Sequence, residues 1–260
     1  MTSLASTDDN QSITGLAILG TDFGCGKTVL LAGLAAMLDS YGFATRAIKP
    51  IVTGMPEENK AELSFISLIT HTLQNSPPVI LDRTIGISNS HWQQIVSLKE
   101  LFIKLTIVEL PGSSATPICF DSNEEVQRKG WQKNGWKDSA DLAYELSLPC
   151  LLVAAHRFDA LEKLSLHAAY IINKGIKLLG LVTVETTADG GRQFEMCMSR
   201  DKAELSFLAR TGVPYLGCIK HSPSVSVPEV NRGNLVKLTT GGLEFLEVIK
   251  DLNLQVPSSI

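Results

Sequence analysis

A doubly wound α/β fold, with a parallel, Rossmann-like sheet flanked by helices on both faces, is expected from three features of this 260-residue sequence. Short apolar runs alternate with longer segments of helical period, which is the pattern of βαβ units. A glycine-rich turn joins the first apolar run to the first helical segment. Hydrophobic residues make up 44% of the chain and charged residues 19%, a balance suited to a globular protein with a large buried sheet.

The elements follow in order. A buried strand is expected at 15–20 and a helix at about 27–41, whose VLLAGLAAML core has no proline or β-branched cluster. TRAIKPI (45–51) reads as a short strand ending at Pro50. A helix over 58–73 carries its apolar stripe at Leu63, Ile66, Leu68 and Ile69, and a second helix is expected over 91–105. LTIVEL (105–110) is a buried strand stopped by Pro111-Gly112. Asp138 is placed to cap a helix running to Leu148. CLLVAAH (150–156) is the next strand, followed by a helix at 159–174 that ends at Gly175. A strand at 178–185, a helix at 198–211, a strand at 214–219 and a closing helix at 242–252 complete the pattern. Residues 121–137 are polar with two tryptophans and read as an exposed loop or insertion, not a domain boundary. The expected organisation is a disordered lead-in at 1–12, a single domain at 13–253 and a tail at 254–260.

Composition narrows the partners. The net charge is −4 with no basic block, so nothing points to nucleic acid. No apolar run reaches the length that spans a bilayer, and the polar, acidic start is unlike a signal or transit peptide. The cysteines (Cys25, Cys119, Cys150, Cys197 and Cys218) are odd in number and scattered, with no CxxC. That favours a reducing, cytoplasmic setting over a disulfide framework or zinc site. The histidines show no HxxxH or HExxH spacing, and no GxSxG element is present.

The turn after the first strand has the features of a phosphate-binding loop. Thr21, Asp22, Phe23, Gly24, Cys25 and Gly26 lead into Lys27-Thr28 at a helix start, where backbone N–H groups and the helix dipole favour an anion. In such a loop the lysine reaches the terminal phosphates and the hydroxyl holds Mg²⁺. The generic pattern places a glycine five residues before Gly26. Thr21 occupies that place, with the glycine one step earlier at Gly20. Cys25 is either a small residue filling a turn position or a thiol activated by the helix N-terminus.

In wound sheets, ligands bind beyond the carboxyl ends of the strands. Two residues there carry charge. Lys49 either faces the phosphate loop, where it would neutralise a transferring phosphoryl group, or is a surface lysine. Glu109 either serves Mg²⁺ or is salt-bridged to a neighbouring lysine, because a carboxylate at a buried strand end needs a partner. Asp82-Arg83, Arg157 and Asp159 read as surface charges or caps.

These motifs together resemble dethiobiotin synthetase. Gly20-Thr21-Asp22 followed by Gly26-Lys27-Thr28 is similar to that family's loop, which also carries threonine where the generic loop has glycine. Lys49-Pro50-x-x-Thr53-Gly54 resembles its Lys-Pro-x-x-Ser/Thr-Gly, and Val108-Glu109-x-x-Gly112 resembles its Val-Glu-Gly-Ala-Gly-Gly. Thr116-Pro117, the stretch from Asp141 to Pro149, and Gly180-Leu181-Val182 fall in the same order. The resemblance implies a homodimeric P-loop ligase of biotin biosynthesis. Such an enzyme closes the ureido ring of dethiobiotin from the diamine 7,8-diaminopelargonic acid, CO₂ and MgATP, through a carbamate and a carbamic-phosphoric anhydride. It implies that Lys27 cradles phosphate and that Lys49 stabilises the phosphoryl group and carbamate. Thr28 and Glu109 then hold Mg²⁺, Glu62 is the nearest candidate for the remaining metal ligand, and Thr53 contacts the substrate.

The sequence departs from the family at several points. Phe23 stands where the family tends to have threonine. The glycine-rich stretch becomes Leu110-Pro111-Gly112-Ser113, and Ser90-His91 is all that corresponds to Ser-Pro-His. The base-reading asparagine falls on Val184 or Glu185. Ile219-Lys220 replaces Ile-Pro, and Ala155-His156-Arg157-Phe158-Asp159 replaces the turn after the fourth strand. Two other readings therefore stand beside the ligase: a nucleotide-binding homologue without the chemistry, and a partitioning-type ATPase. The latter needs an early loop lysine, and Thr21 to Gly24 contain none.

Overall fold

Six strands build the central sheet: β1 (Gly15–Gly20), β2 (Thr45–Ile48), β5 (Leu105–Glu109), β8 (Cys150–Ala155), β9 (Leu178–Val184) and β10 (Tyr215–Ile219). Their order across the sheet is β10-β9-β8-β1-β5-β2, and every neighbouring pair is parallel. In this computed structural model the described residues are 15–70, 77–102, 105–120, 135–197 and 199–244. The chain winds from β1 toward the β2 edge, inserts β5, then crosses back to lay down β8, β9 and β10. β1 is thus the strand where the winding reverses, and a crevice opens there beyond the strand ends.

Side chains alternate across β1. Leu16 and Ile18 point to one face and Ala17 and Leu19 to the other, all fully buried. The first face is covered by α1 (Lys27–Ser40), α2 (Pro56–Thr70) and α8 (Leu235–Gly242), with Leu34, Phe65 and Leu235 in one core. The second is covered by α3 (Asn89–Val96), α4 (Ser139–Glu145), α5 (Ala160–Asn173) and α7 (Arg200–Thr211), with Trp92, Leu142, Leu164 and Phe207 in another. Helices on both faces are as expected from the alternating pattern.

The structure corrects several element boundaries. The expected strand at 45–51 is broken. Pro50 has no N–H for a ladder, so β2 ends at Ile48. β3 (Ile51–Val52) leaves the sheet to pair with β4 (Val79–Ile80). The helix expected over 91–105 starts at Asn89, where the Ser88 hydroxyl accepts from the His91 N–H. It gives way after Val96 to a 3₁₀ turn, Ser97–Leu101. At that junction the Ser97 hydroxyl donates to the Gln94 carbonyl, a local bond that competes with the helical pattern.

Trp136 and Lys137, expected in a loop, belong to β7 (Trp136–Asp138), antiparallel to β6 (Pro117–Phe120); residues 121–134 lie outside the described residues. Asp138 does cap a helix, in a reciprocal capping box with Asp141, but α4 stops at Glu145 and Ser147 adopts a left-handed φ of 58°. An unexpected helix, α6 (Gly190–Cys197), precedes α7. Its two leading glycines look like loop in the sequence, yet they mark a close approach. A Cβ on Gly190 would come within 2.8 Å of the His156 carbonyl, and one on Gly191 within 2.5 Å of Glu185 Oε1.

The closing helix expected at 242–252 is corrected at its start. α8 ends at Gly242, and Leu243 bridges Gly217 in extended conformation; residues 245–252 lie outside the described residues. The lead-in at 1–12 and the tail at 254–260 also lie outside them. Among the described residues, no helix is long and apolar enough to cross a membrane.

Candidate functional site

The loop between β1 and α1 wraps the carboxyl end of the central strand. Gly24 and Gly26 take φ of 68° and 98°, a region that strains any residue with a side chain. Space is as restrictive as conformation. A Cβ on Gly20 would lie 2.9 Å from Lys27 Nζ, and one on Gly26 only 2.5 Å from Val184 Cβ. Lys27 is buried and donates to the carbonyls of Asp22 (2.9 Å) and Gly112 (2.7 Å), so its ammonium sits inside the loop it follows.

Not every residue of the loop turns inward. The Thr21 N–H donates to the Val153 carbonyl at 2.9 Å, continuing the β1–β8 pairing, and its side chain is buried. The Asp22 carboxylate is drawn outward to Lys163, with Arg157 at 3.6 Å. Cys25 is 1% exposed and packs in the core beneath α1, so it fills space. Phe23, Gly24, Gly26, Lys27 and Thr28 do line the adjoining cleft.

One step beyond β2, Lys49 is also buried and ion-paired at 2.7 Å to Glu109 Oε1 and at 2.5 Å to Glu62 Oε2. It is no surface lysine. Burial alone would lower the pKa of its ammonium, but Glu109 and Glu62 outweigh that and hold it above the usual lysine value. Glu109 ends β5 and also accepts from the Thr28 hydroxyl at 3.2 Å. The structure shows the lysine-paired alternative for Glu109, whose carboxylate also faces the loop hydroxyl. Its second oxygen, Oε2, is buried without a hydrogen-bond partner among the described residues. A buried carboxylate oxygen left unsatisfied, next to a hydroxyl and a second carboxylate at Glu62, forms a donor set suited to a hard divalent cation.

These groups open on a cleft of about 840 Å³ that also receives Thr53 from the segment after β3. Its far wall comes from Lys220, marked in the sequence only as a departure from the family pattern, and from residues the sequence does not single out: His221, Ser222 and Val225 after β10, and Leu235 and Leu238 of α8. No motif marks them, because they gather only when β10 and α8 reach the β9 side of the loop. Val184 is buried against Gly26. The Glu185 carboxylate is held by Lys220 at 2.7 Å and the His221 N–H at 2.9 Å. Ser90-His91 stands apart, exposed at the start of α3.

Behind this wall the ends of β8, β9 and β10 bring His156, Glu185 and Cys218 together, their ligand atoms within 4.8 Å of one another. His156 is buried, bonds the Thr183 hydroxyl through Nδ1 at 2.7 Å and stacks on Phe194. Burial and the Lys220 charge push it down to about 4, against the pull of Glu185. Burial likewise raises the Cys218 thiol to about 11.

A glycine turn closing on a buried lysine, at the strand where a parallel sheet reverses its winding, places this chain in the P-loop NTPase superfamily. The AAA_26 family, described as an AAA domain, matches residues 14–229, and the chain belongs to that family. Among relatives, the ATP-dependent dethiobiotin synthetase BioD of Bacillus licheniformis is 28% identical over 187 residues, covering 65% of this chain and 72% of that protein. The protein of the same name from Janthinobacterium sp. (strain Marseille) is 27% identical over 222 residues, covering 81% and 88%. Among solved structures, the MinC:MinD cell division protein complex of Aquifex aeolicus includes a chain similar to this one with a TM-score of 0.55. The identity is 11%, over 95% of this chain and 98% of that one, which is a likeness of fold.

Proposed function

We propose that this protein is an ATP- and Mg²⁺-dependent ligase of the dethiobiotin synthetase type, closing a ureido ring on 7,8-diaminopelargonic acid with CO₂. The observation that carries the reading is the convergence of Lys27, Thr28, Lys49 and Glu109 on one cleft at the carboxyl ends of β1, β2 and β5. The similarity to BioD proteins of two bacteria supports the same substrate class.

Lys27, at the mouth of the glycine turn, binds the terminal phosphates of ATP together with the loop N–H groups. Thr28, Glu109 and Glu62 would hold Mg²⁺, which when bound would screen charge on those phosphates. Lys49 reaches the same region from the next strand but one. Its raised pKa keeps it cationic, so it stabilises both the anionic carbamate formed from amine and CO₂ and the phosphoryl group moving onto it. Thr53 positions the carbamate. Attack of the second amine on the resulting carbamic-phosphoric anhydride expels phosphate and closes the ring. Where the family pattern is glycine-rich after the strand glutamate, Leu110 and Pro111 stand here, and Phe23, Pro111 and Gly112 border the cleft. A homodimer and a cytoplasmic setting complete the proposal.

The test is ADP release from purified protein with MgATP and bicarbonate. Release only when the diamine is added supports the ligase. Nucleotide binding without diamine-dependent turnover would sink it in favour of a binding homologue.

A further inference from the structure

Phe23 breaks the family pattern, and the structure gives it a task. Its ring is 44% exposed, unusual for a residue inside a tight loop, and its edge packs so closely on Gly112 that a Cβ there would meet Phe23 Cζ at 2.9 Å. Over its face lies the guanidinium of Arg83, 4.2 Å from the ring centroid. The sequence reading places Arg83 among surface charges; the structure places it on the cleft with Phe23, Lys49 and Thr53.

Arg83 is also unspent. Its neighbour Asp82 is committed to the turn that carries both. Asp82 Oδ1 accepts from the Thr84 N–H at 2.7 Å and from its hydroxyl at 2.5 Å, and the Asp82 carbonyl accepts from Gly86 N–H at 2.8 Å. Among the described residues Arg83 forms no ion pair with a carboxylate. A guanidinium stacked on a ring keeps its edge free, and that edge is a planar fork matched to a carboxylate. Lys27 and Lys49 already serve the phosphate end. Glu57 and Glu58, from the first turn of α2, line the same cleft and favour cationic amines.

We propose that Arg83, presented by Phe23, is the specificity-determining residue that binds the carboxylate of an amine-bearing acid substrate. The inference rests on the ligase reading for its substrate and on the Phe23–Arg83 geometry for its site. It makes Phe23 a positioning residue where threonine would leave the arginine unsupported.

The test compares wild type with Arg83→Ala, Arg83→Lys and Phe23→Leu, using 7,8-diaminopelargonic acid and its neutral carboxamide. Arg83→Ala should raise KM for the acid by about tenfold or more, the scale of a lost charged hydrogen bond. KM for ATP and for the carboxamide should stay near wild type. Phe23→Leu should raise KM for the acid less, and Arg83→Lys should restore only part of it. Equal shifts for acid and carboxamide would overturn the proposal, as would a shift in KM for ATP alone, which would assign Arg83 to phosphate. Calorimetric binding of the acid to protein holding a non-hydrolysable ATP analogue separates the two readings. Binding that depends on Arg83 without any turnover keeps this inference and discards the ligase. Binding that is absent, or equal in wild type and Arg83→Ala, discards this inference.

Discussion

Lys49 Nζ and Glu109 Oε1 stand 2.7 Å apart, joining the end of β2 to the end of its neighbour β5 with both side chains buried. The pair does more than hold two strands. Glu109 is shared between the lysine and the Thr28 hydroxyl, so the loop helix, β2 and β5 meet on one carboxylate.

Removing the lysine leaves that carboxylate buried without its cation, a loss of about 3–5 kcal/mol for a broken buried pair. Lys49→Ala is expected to lower the melting temperature. Millimolar Mg²⁺ should recover more of the loss in the variant than it adds to wild type, because a cation on Glu109 replaces the missing charge. Thermal melts with and without Mg²⁺ decide it; an equal Mg²⁺ increment in both proteins would count against Glu109 as a metal ligand.

The two lysines should separate in solution. Lys27 lies inside the phosphate loop, whereas Lys49 lies beyond it. Lys27→Ala should abolish nucleotide binding, while Lys49→Ala should spare binding and lose turnover. Titration with a fluorescent ATP analogue, alongside the ADP assay, reads both; equal loss of binding would mean that Lys49 also belongs to the phosphate cradle.

Gly26 is fixed twice, by its φ of 98° and by Val184 at 2.5 Å from the position of a Cβ. Gly26→Ala should therefore cost about 1–3 kcal/mol from the backbone alone, with a steric cost added. Adding Val184→Gly, which removes the Cβ as well as both methyl groups, should return the steric part and leave the backbone part. Chemical denaturation of both single variants and the double variant measures the coupling; strict additivity would refute the contact.

His156 makes stability fall in mild acid. Its folded pKa, near 4, lies below the ordinary value of 6.5, so between those values the unfolded chain binds a proton that the folded chain refuses. Stability is lost as pH drops from 6.5 toward 4, and the contribution is flat outside that window. His156→Leu lacks this term. Its stability relative to wild type should improve steadily as the pH is lowered through the window, measured by urea unfolding at several pH values. A constant difference between the two proteins would show that His156 does not titrate in this way.

The sheet was legible in the sequence because each of its strands is a short apolar run bounded by a helical pattern, and covered strands need little else. Legibility failed where backbone and distant packing decide. Pro50 splits a strand, Ser97 interrupts a helix, and Gly190-Gly191 opens a helix where glycine usually signals a loop. In the candidate site, Lys27, Thr28, Lys49 and Glu109 could be named from motif and strand end, since local spacing sets their position. The wall from Lys220 to Leu238 could not, because no local pattern records which strand lies beside which. Arg83 is exposed, as a surface charge should be; its stacking on Phe23, sixty residues away in the chain, is what no local pattern records.

β1 is laid down first yet sits fourth in a sheet of six, and its two neighbours arrive only with residues 105–109 and 150–155. As the chain leaves the ribosome, the glycine loop emerges long before anything can flank it. Residues 105–109 close one edge of β1, the other stays open until Ala155 is out, and the last wall of the cleft waits for Leu238. Nucleotide therefore cannot template the nascent chain; it can only reward a nearly completed one. Chains arrested between residues 110 and 150 should be the ones that aggregate and recruit chaperones, for they expose an apolar strand with one edge unpaired.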